Sequence, residues 1–389
     1  MIDVPDAIDV LIIGAGPTGL ALAGELRRQG VDALVIEKHA EGANTSRAAV
    51  VHARTLEILE PLGATPLLLA EGIKVPVFRV REGGKTLATV TFDHLPSAYP
   101  FTLMIPQDRT EAVLLSRLKA LGGDVLRPAE AVAIRPEADH AEVDIVRDGV
   151  TKTITAKWVV GCDGARSLAR EAAGVDFHGG TYDQDFVLAD VHMAWPISRD
   201  EVTLFFSLEG FVMVAPLPGA PDRYRIVATS DALPEALDTA FVQEMLDVRG
   251  TGVGEAQVRE TVWASRFHIH HRVVSTPRAG RILLCGDAAH LHSPAGGQGM
   301  NTGIQDAVTL ATPLAEALRS GSETGIEAWA PARHEVAKKV VGLTDKMTRV
   351  AALSSTTGRM VRNAALSFVG HFPAAREALA RELAELDNA

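Results

Sequence analysis

The chain has 389 residues, of which 47% are hydrophobic and 22% are charged, and its formal net charge is −11. This is the composition of a globular protein with room for two or three domains, so a disordered or fibrous chain is excluded. The acidic balance argues against nucleic acid and anionic membrane surfaces as partners. No apolar run approaches the roughly 18 residues of a membrane span. We therefore expect a cytoplasmic protein with no membrane or nucleic-acid partner.

Cysteine usage supports the same compartment. The chain has two cysteines, Cys162 and Cys285, which are far apart and form no Cys-x-x-Cys pair. This pattern excludes a disulfide scaffold and a thiolate zinc site, and it fits a reducing cytoplasm. The first eight residues contain Asp3 and Asp6 but no basic residue, unlike the start of a secretory signal peptide.

The first elements in chain order are a strand, a helix and a second strand. Asp9–Ile13 and Ala33–Glu37 are almost wholly apolar, and Pro17–Gln29 between them has helical spacing of apolar residues. Such strands are typical of a parallel sheet covered on both faces. Further along the chain the pattern predicts helices over 48–62 and 107–121, and strands over 158–161 and 281–286.

The middle of the chain has a different pattern, with short strands separated by turns rich in proline and glycine. This spacing predicts a mostly antiparallel sheet. The predicted strands are 75–90, 187–193, 202–206, 211–215 and 224–229. After Gly303 the chain is predicted to be helical almost to its end, with Pro331 and Pro373 placed to start or interrupt helices.

A glycine-rich turn follows the first strand and opens the first helix. Its residues are Gly14, Gly16, Pro17, Thr18 and Gly19 with Ala15 between the first two glycines. Gly14 permits a tight turn, Gly16 lets a pyrophosphate approach the main chain, and Gly19 lets helix and strand pack closely. The phosphates would lie at the helix N-terminus.

An acidic residue completes this motif. Glu37 ends the second strand, 18 positions after Gly19, where it can accept hydrogen bonds from a ribose. The sequence therefore predicts one dinucleotide site. The later glycines of 250–254 follow no strand and predict a loop, so a second site of this kind is not expected.

Two other predicted strands end in glycine and aspartate. Asp163 follows 158–161, and Asp287 follows 281–286. A strand end of this kind presents a carboxylate to a ligand at the sheet edge. After Asp287 a loop with Pro294 and the glycines of 296–299 leads into a helix, where main chain can pass against a flat ring.

The three motifs, in this order and at these separations, resemble the class A flavoprotein aromatic hydroxylases, the family of p-hydroxybenzoate hydroxylase, phenol hydroxylase and the polyketide hydroxylases. The resemblance spans residues 9 to about 345 and extends through 46–47, 54–59, Gln107 and 266–271. Many phenol and polyketide hydroxylases carry an additional thioredoxin-like domain, for which 389 residues leave no room. The chain is therefore expected to be the short form of the family.

The resemblance implies an α/β fold with three parts. A Rossmann-type FAD-binding domain is expected over residues 1–75, 102–175 and 265–345. An inserted, mostly antiparallel substrate domain is expected over 76–101 and 176–264, followed by a C-terminal helical segment over 346–389.

The resemblance also implies the residues that hold FAD. Arg47 and Gln107 would lie near the ribityl-phosphate region, Asp163 would support the flavin site, and Asp287 would contact ribityl or pyrophosphate oxygens. The residues expected at the ring are Pro294, Gly297, Gly299, Met300 and Asn301. The full predicted set for the cofactor adds Gly14, Gly16, Pro17, Thr18, Gly19, Glu37 and Lys38.

The activity implied is monooxygenation. NAD(P)H reduces FAD, O₂ adds at flavin C4a to form a hydroperoxide, and an aromatic ring, phenolic or polyketide-like, gains a hydroxyl group. Because the cofactor supplies the chemistry, no catalytic triad or carboxylate pair is needed. The alternative reactions on the same fold are Baeyer–Villiger oxygenation and epoxidation, and a flavin-binding protein without turnover is a third possibility. The protein would be a monomer or a homodimer.

Substrate-side residues are less determined, and the catalytic residues stay unknown from the sequence. Candidates for orienting a phenol are Asp190, His192 and Tyr224, among which nothing in the sequence selects. Candidates for the substrate pocket are Phe205, Phe211 and Met213, although alternation sends only half of any strand inward. The histidines of 268–271 lack a third well-spaced ligand, so we expect a packed or partly solvated strand there and no metal.

Overall fold

The computed structural model describes residues 4–42, 48–230, 236–351, 353 and 355–388. The strands are β1 (Ala7–Ile13), β2 (Ala33–Ile36), β3 (Val50–Val51), β4 (Ile73–Val75), β5 (Val77–Glu82), β6 (Lys85–Thr91), β7 (Thr102–Met104), β8 (Val125–Leu126), β9 (Glu130–Pro136), β10 (Ala141–Arg147), β11 (Val150–Gly161), β12 (Phe177–Ala194), β13 (Glu201–Ser207), β14 (Gly210–Pro216), β15 (Arg223–Ser230), β16 (Gln257–Val274), β17 (Arg278–Ala279), β18 (Ile282–Leu284) and β19 (His290–Leu291).

The helices are α1 (Pro17–Arg28), α2 (Ala53–Leu59), α3 (Thr65–Glu71), α4 (Gln107–Ala120), α5 (Leu168–Ala173), α6 (Thr239–Arg249), α7 (Gln298–Ser320), α8 (Thr324–Ala351), α9 (Thr356–His371) and α10 (Pro373–Leu383). Two short 3-10 turns, Gly286–Ala288 and Ala295–Gly297, follow β18 and precede α7.

The first sheet has the order β17-β18-β11-β1-β2-β8, with the hairpin β9–β10 added beside β11. Its central strands run parallel, and the register pairs Ile13 with both Gly161 and Ile36. Gly161 pairs in turn with Leu284. The carboxyl ends of β18, β11, β1 and β2 therefore lie at one edge, which brings the three sequence motifs together. Helices α1 and α7 pack on each other over this sheet.

The second sheet has the order β19-β16-β12-β15-β14-β13-β5-β6. All of its pairs are antiparallel except β5 with β13. One face packs on α6 in a core that includes Val187, Phe205 and Tyr224. Successive side chains of a strand point to opposite faces of a sheet. Leu188 and Met213, which are next to core residues in the sequence, therefore lie on the opposite face. A third, small sheet pairs β7 with β3 and β4.

The mixed α/β class and the mostly antiparallel second sheet are confirmed. Two local predictions were wrong. The segment 48–62 was predicted to be one helix, but β3 comes first and α2 begins only at Ala53, because Val50 and Val51 pair with β7. Pro331 lies inside α8, whereas Pro373 does begin α10. Among the residues that the structure describes, none of the helices combines the length and the apolar character that a membrane span requires.

Candidate functional site

A cavity of about 770 Å³ begins at the carboxyl edge of the first sheet and reaches one face of the second sheet. At the first sheet its wall contains residues of all three sequence motifs. The predicted cofactor residues on this wall are Gly14, Gly16, Pro17, Thr18, Glu37, Lys38, Gln107, Asp163, Asp287, Pro294, Gly297, Gly299 and Met300. Gly19 and Asn301 lie behind the wall, and Arg47 lies outside the described residues.

The turn from β1 into α1 leaves main chain open to the cavity. A β-carbon at Gly14, whose φ is +103°, would collide with the carbonyl oxygen of Cys162, and one at Gly19 would collide with that of Gly14. Gly16, in contrast, has no other atom within 4 Å of the β-carbon position. Helix α1 begins with Pro17 and has no side-chain cap. Its first N–H groups and its positive dipole end are thus available to an anion in the cavity.

Glu37 follows β2 and braces this turn. One carboxylate oxygen accepts the Ala15 N–H at 3.0 Å, and the other accepts the His39 N–H at 3.0 Å. Each carboxylate oxygen has a further lone pair for a ligand hydroxyl. Gln107, at the start of α4, donates to Glu111 at 2.9 Å and accepts the Ala48 N–H at 3.3 Å.

Asp163 and Asp287 occupy neighbouring strand ends but have different surroundings. Asp163 accepts hydrogen bonds from the Ser167 hydroxyl at 2.5 Å and the Ala169 N–H at 3.1 Å, so it fixes the start of α5. Burial raises the pKa of Asp163, against these hydrogen bonds, which lower it. Asp287 is exposed at the cavity wall. Of the two carboxylates, Asp287 is therefore the one better placed for a ligand.

The loop before α7 is built from two left-handed glycines, Gly296 (φ +79°) and Gly297 (φ +67°). A β-carbon at Gly297 would collide with the Val50 side chain. The buried Asn301 holds this loop against β3, because its amide donates to the carbonyl oxygens of Gly297 (2.9 Å) and Val50 (3.0 Å). Its carbonyl oxygen accepts the His52 N–H at 2.9 Å. Asn301 thus shapes the site without lining it.

Two histidines, the buried His52 and the half-buried His292, flank the same loop and line the cavity. His52 Nε2 lies 2.8 Å from the Gly296 carbonyl oxygen, and His292 Nδ1 lies 3.0 Å from that of Ser293. Since a carbonyl only accepts, these nitrogens carry the proton. Burial lowers the pKa of each histidine to about 4, so both rings are neutral. The other ring nitrogen of each is buried without a partner among the described residues.

The second sheet contributes a mainly apolar wall. Leu188, Met213, Ala215 and Val227 line the cavity, together with the buried guanidinium of Arg225. Arg225 donates to both carboxylate oxygens of Asp190, at 2.7 and 3.0 Å, and to the Ala48 carbonyl at 3.0 Å. Because Asp190 neutralises its charge, this wall suits a largely uncharged ligand.

The structure separates the predicted substrate residues. Met213 lines the cavity. Asp190 does not line it but forms an ion pair with Arg225, which does. Tyr224 and Phe205 lie on the opposite face, where both contact Trp195. Phe211 packs edge-on against Phe186 in a neighbouring core cluster.

His192 lies outside the cavity wall and binds Asp222 through Nδ1 at 2.8 Å. The sequence reasoning did not single out His52, Arg225 or His292. Arg225 could have been identified from its position, because it is a charged residue that the alternation of the predicted strand 224–229 turns toward the interior.

Two of the histidines of β16, His268 and His270, lie at the cavity as well. His268 Nδ1 is 2.8 Å from Asp185, His270 Nδ1 is 2.7 Å from the Thr181 hydroxyl, and both line the wall. No group of three metal-binding side chains occurs among the residues that the structure describes.

The residues present fit an extended dinucleotide with a flat ring. The open main chain at Gly16 and the uncapped start of α1 suit the pyrophosphate, and Glu37 suits a ribose. At the far end, the Gly296–Gly297 turn and the uncapped N-terminus of α7 suit the pyrimidine edge of a flavin. The ring nitrogens His52 Nδ1 and His292 Nε2, which lack a partner among the described residues, could bind a polar group of a ligand beside this turn.

Comparisons with known proteins agree with this geometry. Residues 7–344 match the sequence family described as FAD binding domain. A 6-methylpretetramide 4-monooxygenase from Streptomyces rimosus is 37% identical over 368 residues, which are 94% of this chain and 66% of that protein. The chain thus spans slightly less than two thirds of that relative's length.

Two solved structures share the fold. An anhydrotetracycline hydroxylase from Streptomyces rimosus superposes with a TM-score of 0.81 at 30% identity and covers 98% of this chain and 76% of its own. A p-nitrophenol 4-monooxygenase from Pseudomonas putida superposes with a TM-score of 0.86 and covers 99% of this chain and 98% of its own, although at 23% identity it speaks for the fold alone.

Proposed function

The chain belongs to the FAD-binding-domain family of flavin-dependent monooxygenases, and from this we propose that it hydroxylates a phenolic, polyketide-like aromatic compound with NAD(P)H and O₂. The observation that carries the proposal is one continuous cavity that joins the dinucleotide edge of the first sheet to an apolar face of the second. Such a cavity brings a flat cofactor ring and an aromatic substrate into contact.

The residues of the first sheet would hold FAD. Glu37 would bind a ribose, the N–H groups at the start of α1 would bind the pyrophosphate, and Asp287 would accept hydrogen bonds from ribityl hydroxyl groups. The Gly296–Gly297 turn would lie against the ring, and the positive end of α7 would stabilise negative charge on the reduced ring. When bound and reduced by NAD(P)H, FAD supplies an electrophilic oxygen atom derived from O₂.

The second sheet would orient the substrate and exclude water. Leu188, Met213 and Val227 offer an apolar wall, and burial of the reacting ring there protects the oxygen donor from water. Of the three candidates for orienting a phenol, Asp190 alone reaches the wall, through Arg225. We assign Asp190 the role of positioning the Arg225 guanidinium.

The cavity wall and the relatives both support the proposed substrate class. The two proteins from Streptomyces rimosus are named for 6-methylpretetramide and anhydrotetracycline. The mainly apolar wall with a neutralised arginine favours an uncharged phenolic ring system over a substrate that needs a free cation for a carboxylate. We also propose a cytoplasmic location and a monomer or homodimer, in keeping with the sequence.

O₂ consumption by the FAD-loaded protein tests the activity. We expect O₂ uptake with NADH or NADPH to be slow in the absence of a phenol. Uptake should accelerate when a phenol is added from a panel of monocyclic and polycyclic compounds. Acceleration by polycyclic phenols and not by benzoates would support the substrate class. Absence of NAD(P)H-dependent uptake with every phenol, in protein that retains FAD, would contradict the proposal and favour a flavin-binding protein without turnover.

A further inference from the structure

The fold brings the two cysteines of the chain together. Gly161 and Leu284 are registered partners at the ends of the adjacent parallel strands β11 and β18, and Cys162 and Cys285 directly follow them in the chain. The Cys285 N–H donates to the Gly161 carbonyl at 3.0 Å. Adjacent strands lie about 4.8 Å apart, which falls within the range of Cα separations that a disulfide spans.

The two thiols differ in access. Cys162 is half-buried and lines the cavity, whereas Cys285 is fully buried behind it, and both pack in the same core cluster. Burial raises the pKa of Cys285, and the hydrogen-bonded Cys162 thiol adds to this effect. Cys162 is therefore the thiol that a small oxidant in the cavity meets first, and Cys285 is a reduced neighbour within reach.

We propose that Cys162 and Cys285 form a site of reversible oxidation that closes to a disulfide with hydrogen peroxide as oxidant. The Cys162 thiolate attacks the peroxide, whose O–O bond breaks to give a sulfenic acid and hydroxide. The Cys285 sulfur then attacks the Cys162 sulfur, the S–O bond breaks, and the oxygen leaves as water with the Cys285 proton. In total, two thiols and one peroxide give one disulfide and two waters.

The site adjoins the cofactor cavity through the main chain. The carbonyl of Cys162 lies against Gly14, where no β-carbon would fit, and Asp163 follows directly. Because Cys162 lines the cavity, turning its sulfur toward Cys285 is expected to reshape the wall beside the phosphate turn and to raise the dissociation constant of FAD. The oxidation itself does not depend on the proposed reaction.

Peptide mapping of the FAD-loaded protein after graded hydrogen peroxide tests the site. We expect a cross-linked peptide containing Cys162 and Cys285, loss of both free thiols, and recovery of both with dithiothreitol. FAD fluorescence titration before and after reduction should show weaker binding in the bridged form. Persistence of both thiols, or accumulation of Cys162 sulfinic acid without a bridge, would overturn the proposal; an unchanged FAD affinity would overturn its link to the cofactor site.

Single variants provide the matched control. In Cys285→Ser, peroxide should carry Cys162 on to acids that dithiothreitol does not reverse, because no resolving thiol is present. In Cys162→Ser, the buried Cys285 should stay reduced at the same peroxide concentration. Equal oxidation of Cys285 in both backgrounds would contradict the assigned order of attack, and the wild-type map decides the matter if a variant does not fold.

Discussion

His52 and His292 show how single residues couple the site to pH. Both rings are neutral, because desolvation lowers the pKa of each histidine from 6.5 to about 4. Because the unfolded chain takes up protons at higher pH than the folded chain, the stability from these residues is present above pH 6.5 and is lost as pH falls toward 4. For each histidine, acidification from pH 6.5 to pH 5 should lower the free energy of unfolding by about 2 kcal/mol.

Urea unfolding of the wild type and His52→Gln at these two pH values measures this effect. We expect the variant to lose less stability on acidification than the wild type. The exposed His94 serves as control, since its side chain is 81% accessible and His94→Gln should leave the pH dependence unchanged. An identical acid sensitivity in His52→Gln would rule out a buried neutral imidazole at this position.

Asp287 is the residue whose removal should affect FAD most directly. It is exposed on the cavity wall, and a charge-assisted hydrogen bond from a ribityl or phosphate-proximal group would be lost in Asp287→Ala. We expect FAD binding to weaken by about 2–3 kcal/mol in a fluorescence titration. Asp139→Ala, which removes an exposed carboxylate elsewhere, is the matched control. Equal FAD affinity in the two variants would remove Asp287 from the cofactor site.

At the scale of elements, the pair Arg225–Asp190 joins β15 and β12 and ties the second sheet to Ala48. Both side chains are at least nine-tenths buried. Asp190→Asn leaves a buried guanidinium without its counter-charge, so we expect a loss of about 3–5 kcal/mol in unfolding free energy.

Asp222→Asn is the comparison for this variant, because it removes the partner of His192 at a site where both side chains are about 30% exposed. We expect it to cost less than about 1 kcal/mol. Similar losses in the two variants would indicate that Asp190 does not hold a desolvated charge.

The end of the chain forms a second pH-dependent element. Glu385 is buried against α7, where it accepts hydrogen bonds from Gln305 and Thr302. Burial raises its pKa to about 8, against these contacts, which lower it. Its stabilising contribution is therefore complete below the unfolded pKa of about 4.5 and is lost as pH rises toward 8.

Glu385→Gln mimics the protonated form and should remove this loss. Between pH 6.5 and 8 we expect the variant to gain about 2 kcal/mol of unfolding free energy relative to the wild type. Glu377→Gln, at an exposed position of α10, should show no such gain. A constant difference between Glu385→Gln and the wild type across this range would show that Glu385 is already ionised when folded.

Across the whole molecule, the elements that local sequence rules could predict are those whose pattern is set by nearby residues. The strand–turn–helix at Gly14–Gly19 and the helix from Gln107 are examples, since apolar periodicity and glycine sterics determine them. The segment 48–62 was different, because pairing of Val50 with Met104, 54 positions away, decides its first part. Long-range pairing of this kind leaves no local signal.

Site residues divide in the same way. Gly16, Glu37 and Asp287 follow strand ends, and parallel strands place their carboxyl ends at one edge. The face that each strand of the second sheet turns to the cavity depends on tertiary packing, which is why Met213 lines it while Phe205 packs under α6. The sequence therefore predicts which strands contain the substrate residues, but not which face of each strand lines the cavity.

In the proposed function, the cavity that joins the two sheets serves to transfer one oxygen atom from O₂ to a phenolic ring. The direct measurement is mass spectrometry of products formed under ¹⁸O₂ by the FAD-loaded protein with NAD(P)H, for a phenol, its methyl ether and a matching ketone. We predict that the phenol gains one labelled oxygen on the ring, while the ether binds but is not hydroxylated, because an electrophilic oxygen donor needs the electron-rich phenol. Ethers hydroxylated as fast as phenols, or ketones converted to labelled lactones while phenols stay inert, would contradict the account.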